Sequence, residues 1–117
     1  MTKKRRKGAA PSPLRAVWLF AMFDLPVDSV QARRRYVHFR KTLLRQGFSM
    51  LQFSVYARYF GSDERAEVIR RRLRESLPPS GEVRLLSVTD VQFGKMQVFQ
   101  GKKRSKTETP PEQLLLF

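Results

Sequence analysis

The sharpest candidate for chemistry in this sequence is a carboxylate that closes an apolar run: Ala16-Val-Trp-Leu-Phe-Ala-Met-Phe23 is followed at once by Asp24. A carboxylate there is costly to bury alone, so it must be exposed, hydrogen-bonded or bound to a cation. If two copies of Asp24 face each other across a symmetry axis, a magnesium ion would relieve their repulsion and activate water at a phosphodiester. The competing role is structural, with the Asp24 oxygens accepting backbone hydrogen bonds in the Leu25-Pro26 turn, and the two roles are compatible. Hydrolysis needs more than one carboxylate, and the sequence offers little beside this one. Ser54 has two readings, phosphate contact near Asp24 or a local bond within its own strand. His38 is the only histidine, and in an arginine-rich run it reads as a surface or partly packed residue rather than a base.

The basic residues fit binding better than catalysis. Lys and Arg number 24 against 10 Asp and Glu, a net charge of +14 in 117 residues, so a partner carrying phosphates meets a strong attractive field. Arg33, Arg34 and Arg35 fan over more than a third of a helix circumference, so at least one faces outward on any packing. With Arg40, Arg58, Lys102, Lys103 and Arg104 they form the candidate phosphate-binding set, whose affinity would fall steeply with salt. Arg70, Arg71, Arg72 and Arg74 have two readings, a solvated face or further phosphate contacts. The absence of Cys excludes a disulfide framework, a thiolate zinc site and a cysteine nucleophile.

These side chains need elements to hold them, and the length suits one domain with a small core. Residues 1–14, basic and acid-free with Gly8, Pro11 and Pro13, predict a disordered arm. The run from Ala16 to Phe23 predicts a central strand; it is far short of the roughly 20 residues of a membrane span, and no small-residue cleavage site follows it. A cytoplasmic protein without membrane contact is the expectation.

Ser29 to Gln46 predicts a helix capped by Asp28 or Ser29 and ended by Gly47, with Val30, Tyr36, Val37, Leu43 and Leu44 on its buried face. Phe48 to Phe60 predicts a long strand that can bend near Ala57 and Arg58. Ser62 opens a second helix whose stripe is Ala66, Ile69, Leu73 and Leu77, stopped by Pro78-Pro79-Ser80-Gly81. Glu82 to Thr89 and Gln92 to Phe99 predict two more strands. Phe20, Phe23, Phe53 and Phe93 are assigned to the core rather than to stacking platforms. The order describes an α+β, ferredoxin-like (split βαβ) domain over residues 15–101 with an extra C-terminal strand. Residues 102–117 follow as a linker ending in Leu114, Leu115, Leu116 and Phe117, an apolar tail suited to docking on a partner.

The plan alone identifies no activity. The string Phe23-Asp24-Leu25-Pro26-Val27, then Arg40-Lys41, Gly47-Phe48 and Met50-Leu-Gln-Phe-Ser-Val-Tyr56, resembles the CRISPR-associated protein 2 family. Leu77-Pro78-Pro79, Val83-Arg84-Leu85-Leu86 and Thr89-Asp90-Val91-Gln92-Phe93 look most like the form that accompanies type II effector systems, and the match covers about Trp18 to Gly101. Many members carry a basic residue where this chain has Met50, a departure that weakens a nuclease reading.

The resemblance implies a homodimer in which the last strand of each protomer completes its partner's sheet. It also implies a place between dimers of the CRISPR-associated integrase, holding a short DNA duplex for insertion into the CRISPR array. Asp24 matches the acid assigned to a magnesium site in members with nuclease activity, and the integrase becomes the expected partner of the Leu114 to Phe117 tail. The leading expectation is therefore a DNA-binding structural subunit of spacer acquisition. The alternative is a magnesium-dependent endonuclease using paired Asp24. A single-strand RNA-binding module is a third reading, but the strands lack its aromatic-glycine consensus.

Overall fold

The computed structural model describes residues 15–111. Its strands and helices run β1 (Val17–Asp24), α1 (Val30–Arg45), β2 (Ser49–Gln52), β3 (Val55–Phe60), α2 (Asp63–Glu75), β4 (Glu82–Thr89), α3 (Asp90–Gly94), β5 (Val98–Gln100) and β6 (Lys103–Ser105). The main sheet has the order β2-β3-β1-β4, antiparallel throughout. Each helical crossover skips one intervening strand, which is the ferredoxin-like arrangement expected from the element order.

Strand β1 pairs on both sides and alternates between two apolar environments. Val17, Leu19, Ala21 and Phe23 point to the helices, where they pack with Phe39 and Leu43 of α1 and Ala66, Ile69 and Leu73 of α2. Trp18 and Phe20 point to the opposite face, where Ala57, Tyr59, Val88, Phe93 and Met96 gather around them. This two-sided burial explains why the run reads as continuously apolar. Each long helix opens on a serine cap: the Ser29 Oγ accepts from the Ala32 N–H at 3.0 Å and the Ser62 Oγ from the Arg65 N–H at 3.3 Å.

Several local expectations are corrected. Helix α1 is rotated about its axis relative to the predicted face: Phe39, Thr42 and Leu43 are buried, whereas Val30, Val37 and Leu44 face solvent, Val30 being 58% exposed. Tyr36, Phe39 and Leu43 lie at i, i+3 and i+7, and this is the stripe that packs against the sheet. The stripe of α2 ends at Leu73, since Leu77 lies beyond the helix and is exposed. The segment Phe48–Phe60 bends at Phe53-Ser54, four residues before the predicted place, with Ser54 at φ 64°. Phe53 consequently leaves the core and is 81% exposed.

The last correction concerns residues 92–99, predicted as one strand. Thr89 and Gln92 form a reciprocal capping box, with Thr89 Oγ1 accepting from the Gln92 N–H at 3.0 Å and Gln92 Oε1 from the Thr89 N–H at 2.8 Å. That box starts the short helix α3, whose Phe93 stacks on Trp18 at 4.0 Å between ring centroids. The Trp18 indole N–H donates to Asp90 at 2.7 Å, locking α3 over one end of the second sheet face. The chain then forms the hairpin β5-β6, so Lys103 and Arg104 lie in a strand, in a stretch read from sequence as linker. The basic arm 1–14 and Leu114 to Phe117 lie outside the described residues.

One arginine of α2, Arg70, serves the fold. Arg70 donates to Asp63 at 2.6 Å, to Glu67 at 2.8 Å and to the Ser87 hydroxyl, tying α2 to β4. Hydrogen bonding from Arg70 holds the Glu67 carboxyl below its ordinary value of 4.5, with further help from Arg74. A depressed carboxyl stabilises the fold above its unfolded value and loses that contribution as pH falls through the folded one. Thermal unfolding measured between pH 7 and 3 is therefore expected to show a stability loss below about pH 4.5. Arg70→Met should flatten that acid limb, and an unchanged limb would remove Glu67 from its cause.

Candidate functional site

Asp24 ends β1 directly opposite Glu82, the first residue of β4. Residues in such register project to the same side of a sheet, so two carboxylates share the face that α1 and α2 leave open. Arg84, two residues along β4, approaches Glu82 at 3.2 Å. Asp24 is exposed, and among the described residues its carboxylate enters no ion pair or hydrogen bond. Its backbone is fixed instead: Gly81, at φ +90°, passes so close that a Cβ there would lie 2.8 Å from the Asp24 carbonyl oxygen.

Among the described residues no group of three His, Cys, Asp or Glu is placed to hold a metal ion. Magnesium commonly takes only one or two carboxylates, with waters and substrate phosphates completing its shell. At this end of the sheet the exposed Asp24 is the carboxylate left without an ion-pair partner among the described residues, Glu82 being paired with Arg84.

The sheet face that carries Asp24 is apolar and only half covered. Helix α3 protects Trp18 and Tyr59, whereas Phe20, Met22 and Val55 are half-buried and Leu86 is 50% exposed. Sequence reasoning had Asp24 but not its neighbours; Glu82 becomes visible only once the β1-β4 register is known.

The cationic residues occupy the other layer. Between Asp28 and Asp63 the chain has no acidic residue and seven basic ones. Arg33, Arg34 and Arg35 are all exposed, with the Arg33 guanidinium donating to the Val27 carbonyl at 3.1 Å. Arg34 and Arg35 line an open cleft of about 510 Å³ together with His38, Phe39 and the Glu75–Pro79 segment. His38 thus sits on the rim of a basic cleft, on the opposite side of the sheet from Asp24. Among the described residues every ion pair involves α2 or the start of β4, so the cations of α1 remain unpaired there.

Two members of the predicted phosphate set are tied into the fold. Arg58 donates to the Gln46 carbonyl at 2.7 Å and lies over the Phe60 ring at 4.5 Å, closing the C-terminus of α1. Burial, then the nearby Arg72, lowers its pKa. Arg40 donates through Nε to the Tyr56 hydroxyl at 2.9 Å and is half-buried. Lys102, Lys103 and Arg104 are exposed at the tip and second strand of the β5-β6 hairpin, well separated in sequence from α1. Ser54 lies in the turn between β2 and β3 and shares a 3.2 Å hydrogen bond with the Tyr36 hydroxyl of α1, a tertiary contact rather than a local bond within its own strand.

Fold and site together define a class: a small ferredoxin-like protein with a basic helical layer on one side and an open apolar sheet face, edged by a carboxylate, on the other. Comparison with known proteins makes this particular. Residues 17–96 match the family described as CRISPR associated protein Cas2, and the chain belongs to that family. It is 52% identical over 101 residues, 86% of this chain and 100% of the relative, to the CRISPR-associated endoribonuclease Cas2 of Parvibaculum lavamentivorans. It is 47% identical to the protein of the same name from Flavobacterium psychrophilum, covering 88% of this chain and 90% of that one. The Streptococcus mutans (strain UA159) protein, also of that name, is 35% identical over 85% of this chain and 91% of its own length. Among the described residues no helix is long and apolar enough to cross a membrane.

Proposed function

We propose that this chain is a DNA-binding structural subunit of the complex that inserts new spacers into a CRISPR array, acting in the cytoplasm. The observation that carries the reading is the acid-free α1, whose exposed arginines form no ion pair among the described residues. Such a surface attracts a phosphate backbone without reading its sequence, as suits a protein that must accept any short duplex.

The half-covered sheet face supports a homodimer. A second copy packed there would bury Leu86, Phe20 and Met22 and bring the two Asp24 carboxylates near the axis, the β5-β6 hairpin of each chain adding to its partner's sheet. The dimer then bridges subunits of the CRISPR-associated protein 1 integrase, which performs the cutting and joining. Leu114, Leu115, Leu116 and Phe117 are the proposed contact with that integrase, and Lys102, Lys103 and Arg104 supply further positive charge beside it.

A second reading rests on the relatives, which are named endoribonucleases, and on the exposed Asp24. Paired Asp24 residues would hold magnesium, which would polarise a phosphodiester and lower the pKa of its bound water. Asp24→Ala separates the readings. As a structural subunit, the variant co-purifies with the integrase at the wild-type stoichiometry and supports spacer integration, while any magnesium-dependent cleavage of RNA or DNA disappears. Loss of integration with dimerisation and duplex binding intact would favour the enzyme.

A further inference from the structure

The most exposed large apolar residue on the described surface is Phe53, at 81%. It stands on a built support. Its ring stacks on Tyr36 at 6.2 Å between centroids and 24° between planes, and Tyr36 packs edge-on against the buried Phe23 at 5.7 Å. The turn beneath is pinned twice: the Phe23 N–H donates to the Ser54 carbonyl at 3.1 Å, and the Ser54 and Tyr36 hydroxyls share a hydrogen bond. Holding Ser54 at φ 64° is costly for a residue other than Gly or Asn. The turn therefore spends conformational energy to present a phenyl ring that stands exposed among the described residues.

The charge around this ring is one-sided. Arg33 precedes Tyr36 by three residues on α1 and Arg40 follows it by four, so the two arginines flank the aromatic pair along one helix face. On the adjoining edge strand β2, Met50 is 56% exposed and pairs with Tyr56, whose hydroxyl accepts from Arg40. A rigid aromatic beside an apolar side chain, bordered by arginines, is the arrangement on which bases stack while phosphates are neutralised. A second copy of this chain would bring the same positive charge to the patch and be repelled by it.

We propose that Phe53, supported by Tyr36 and flanked by Arg33 and Arg40, stacks on an unpaired nucleobase, so that the protein grips a single-stranded stretch as well as a duplex backbone. This rests on the nucleic-acid-binding role proposed above and adds a contact that a blunt duplex cannot make, because its bases are already stacked.

The test compares wild type, Phe53→Ala and Phe53→Trp in the full-length protein. The probes are a blunt DNA duplex and single-stranded DNA and RNA oligonucleotides containing 2-aminopurine, whose fluorescence reports stacking. Phe53→Ala should weaken binding of at least one single strand by about fivefold or more and abolish the 2-aminopurine quench, with duplex affinity and salt slope unchanged. Phe53→Trp should restore both signals, and the strand affected identifies the sugar preferred. Unchanged single-strand binding, equal loss on duplex and single strand, or a change of assembly state by sedimentation would each overturn the stacking role. Wild-type duplex binding reports separately on the function proposed above, and its absence would remove both.

Discussion

Replacing Arg33, Arg34 and Arg35 together with Ala is expected to lower affinity for a short blunt DNA duplex about a hundredfold at 0.15 M salt. The magnitude follows from counterion release. Each phosphate neutralised contributes about 0.9 to the slope of log affinity against log salt, so three lost contacts remove between two and three units of slope. All three side chains are exposed, and only Arg33 makes a hydrogen bond to the fold among the described residues. The triple variant should therefore unfold within a few degrees of wild type, and the loss is a binding effect. Titrations at several salt concentrations check it. A parallel fall in affinity with an unchanged slope would mean that α1 does not touch phosphates.

The second large effect is on stability. Gly81→Ala must place a Cβ 2.7 Å from Leu25 Cδ2, 2.8 Å from the Asp24 carbonyl oxygen and 3.1 Å from Leu25 Cα, in a backbone held at φ +90°. Two of those neighbours are backbone atoms and cannot swing aside. Conformational strain and the clash together should cost about 3 kcal/mol. In a domain of this size that lowers the unfolding midpoint by more than about 10 °C. Gly101→Ala is the control: its φ is also positive, at 64°, but nothing lies within 4 Å of the added carbon. It should cost about 1 kcal/mol, the conformational part alone. If calorimetry finds the two variants equally stable, the close packing of the β4 entry against the end of β1 does not hold. Because that packing fixes the Asp24 main chain, Gly81→Ala should also impair whatever chemistry Asp24 supports.

Most of the scaffold is written in local sequence signals. The serine caps at 29 and 62, the left-handed Gly47 and the Ala66-Ile69-Leu73 stripe each act within a few residues, and all are present in the structure. The continuous apolar run of β1 likewise announces a strand buried on both faces. The failures arise where two local patterns compete. In α1 both Val30-Val37-Leu44 and Tyr36-Phe39-Leu43 lie along helical lines, and only the sheet beneath decides which is covered. At residues 89–92 the Thr-x-x-Gln capping box was legible and outweighs the alternation that suggested a strand.

The candidate site was legible only in part. Asp24 and the arginines of α1 could be named from residue type and setting, because a carboxylate after an apolar strand and a cation run in a helix are unusual in themselves. Glu82 and Phe53 could not. Glu82 reaches Asp24 through a strand register that spans most of the domain, and Phe53 is indistinguishable in composition from the core phenylalanines around it.

The sequence by itself determined the order of strands and helices from β1 to β4, the serine caps, the excess of positive charge and the candidate carboxylate at Asp24, since propensity, capping and charge are properties of near neighbours. Only the tertiary structure decided how those pieces face. Asp24 lies on the open side of the sheet and the arginines on the helical side because side chains alternate across a strand while both long crossovers pack on one face. A two-residue turn between β2 and β3 then decided that one phenylalanine would stand in water, since the register it sets ends the strand's alternation before the ring can turn inward.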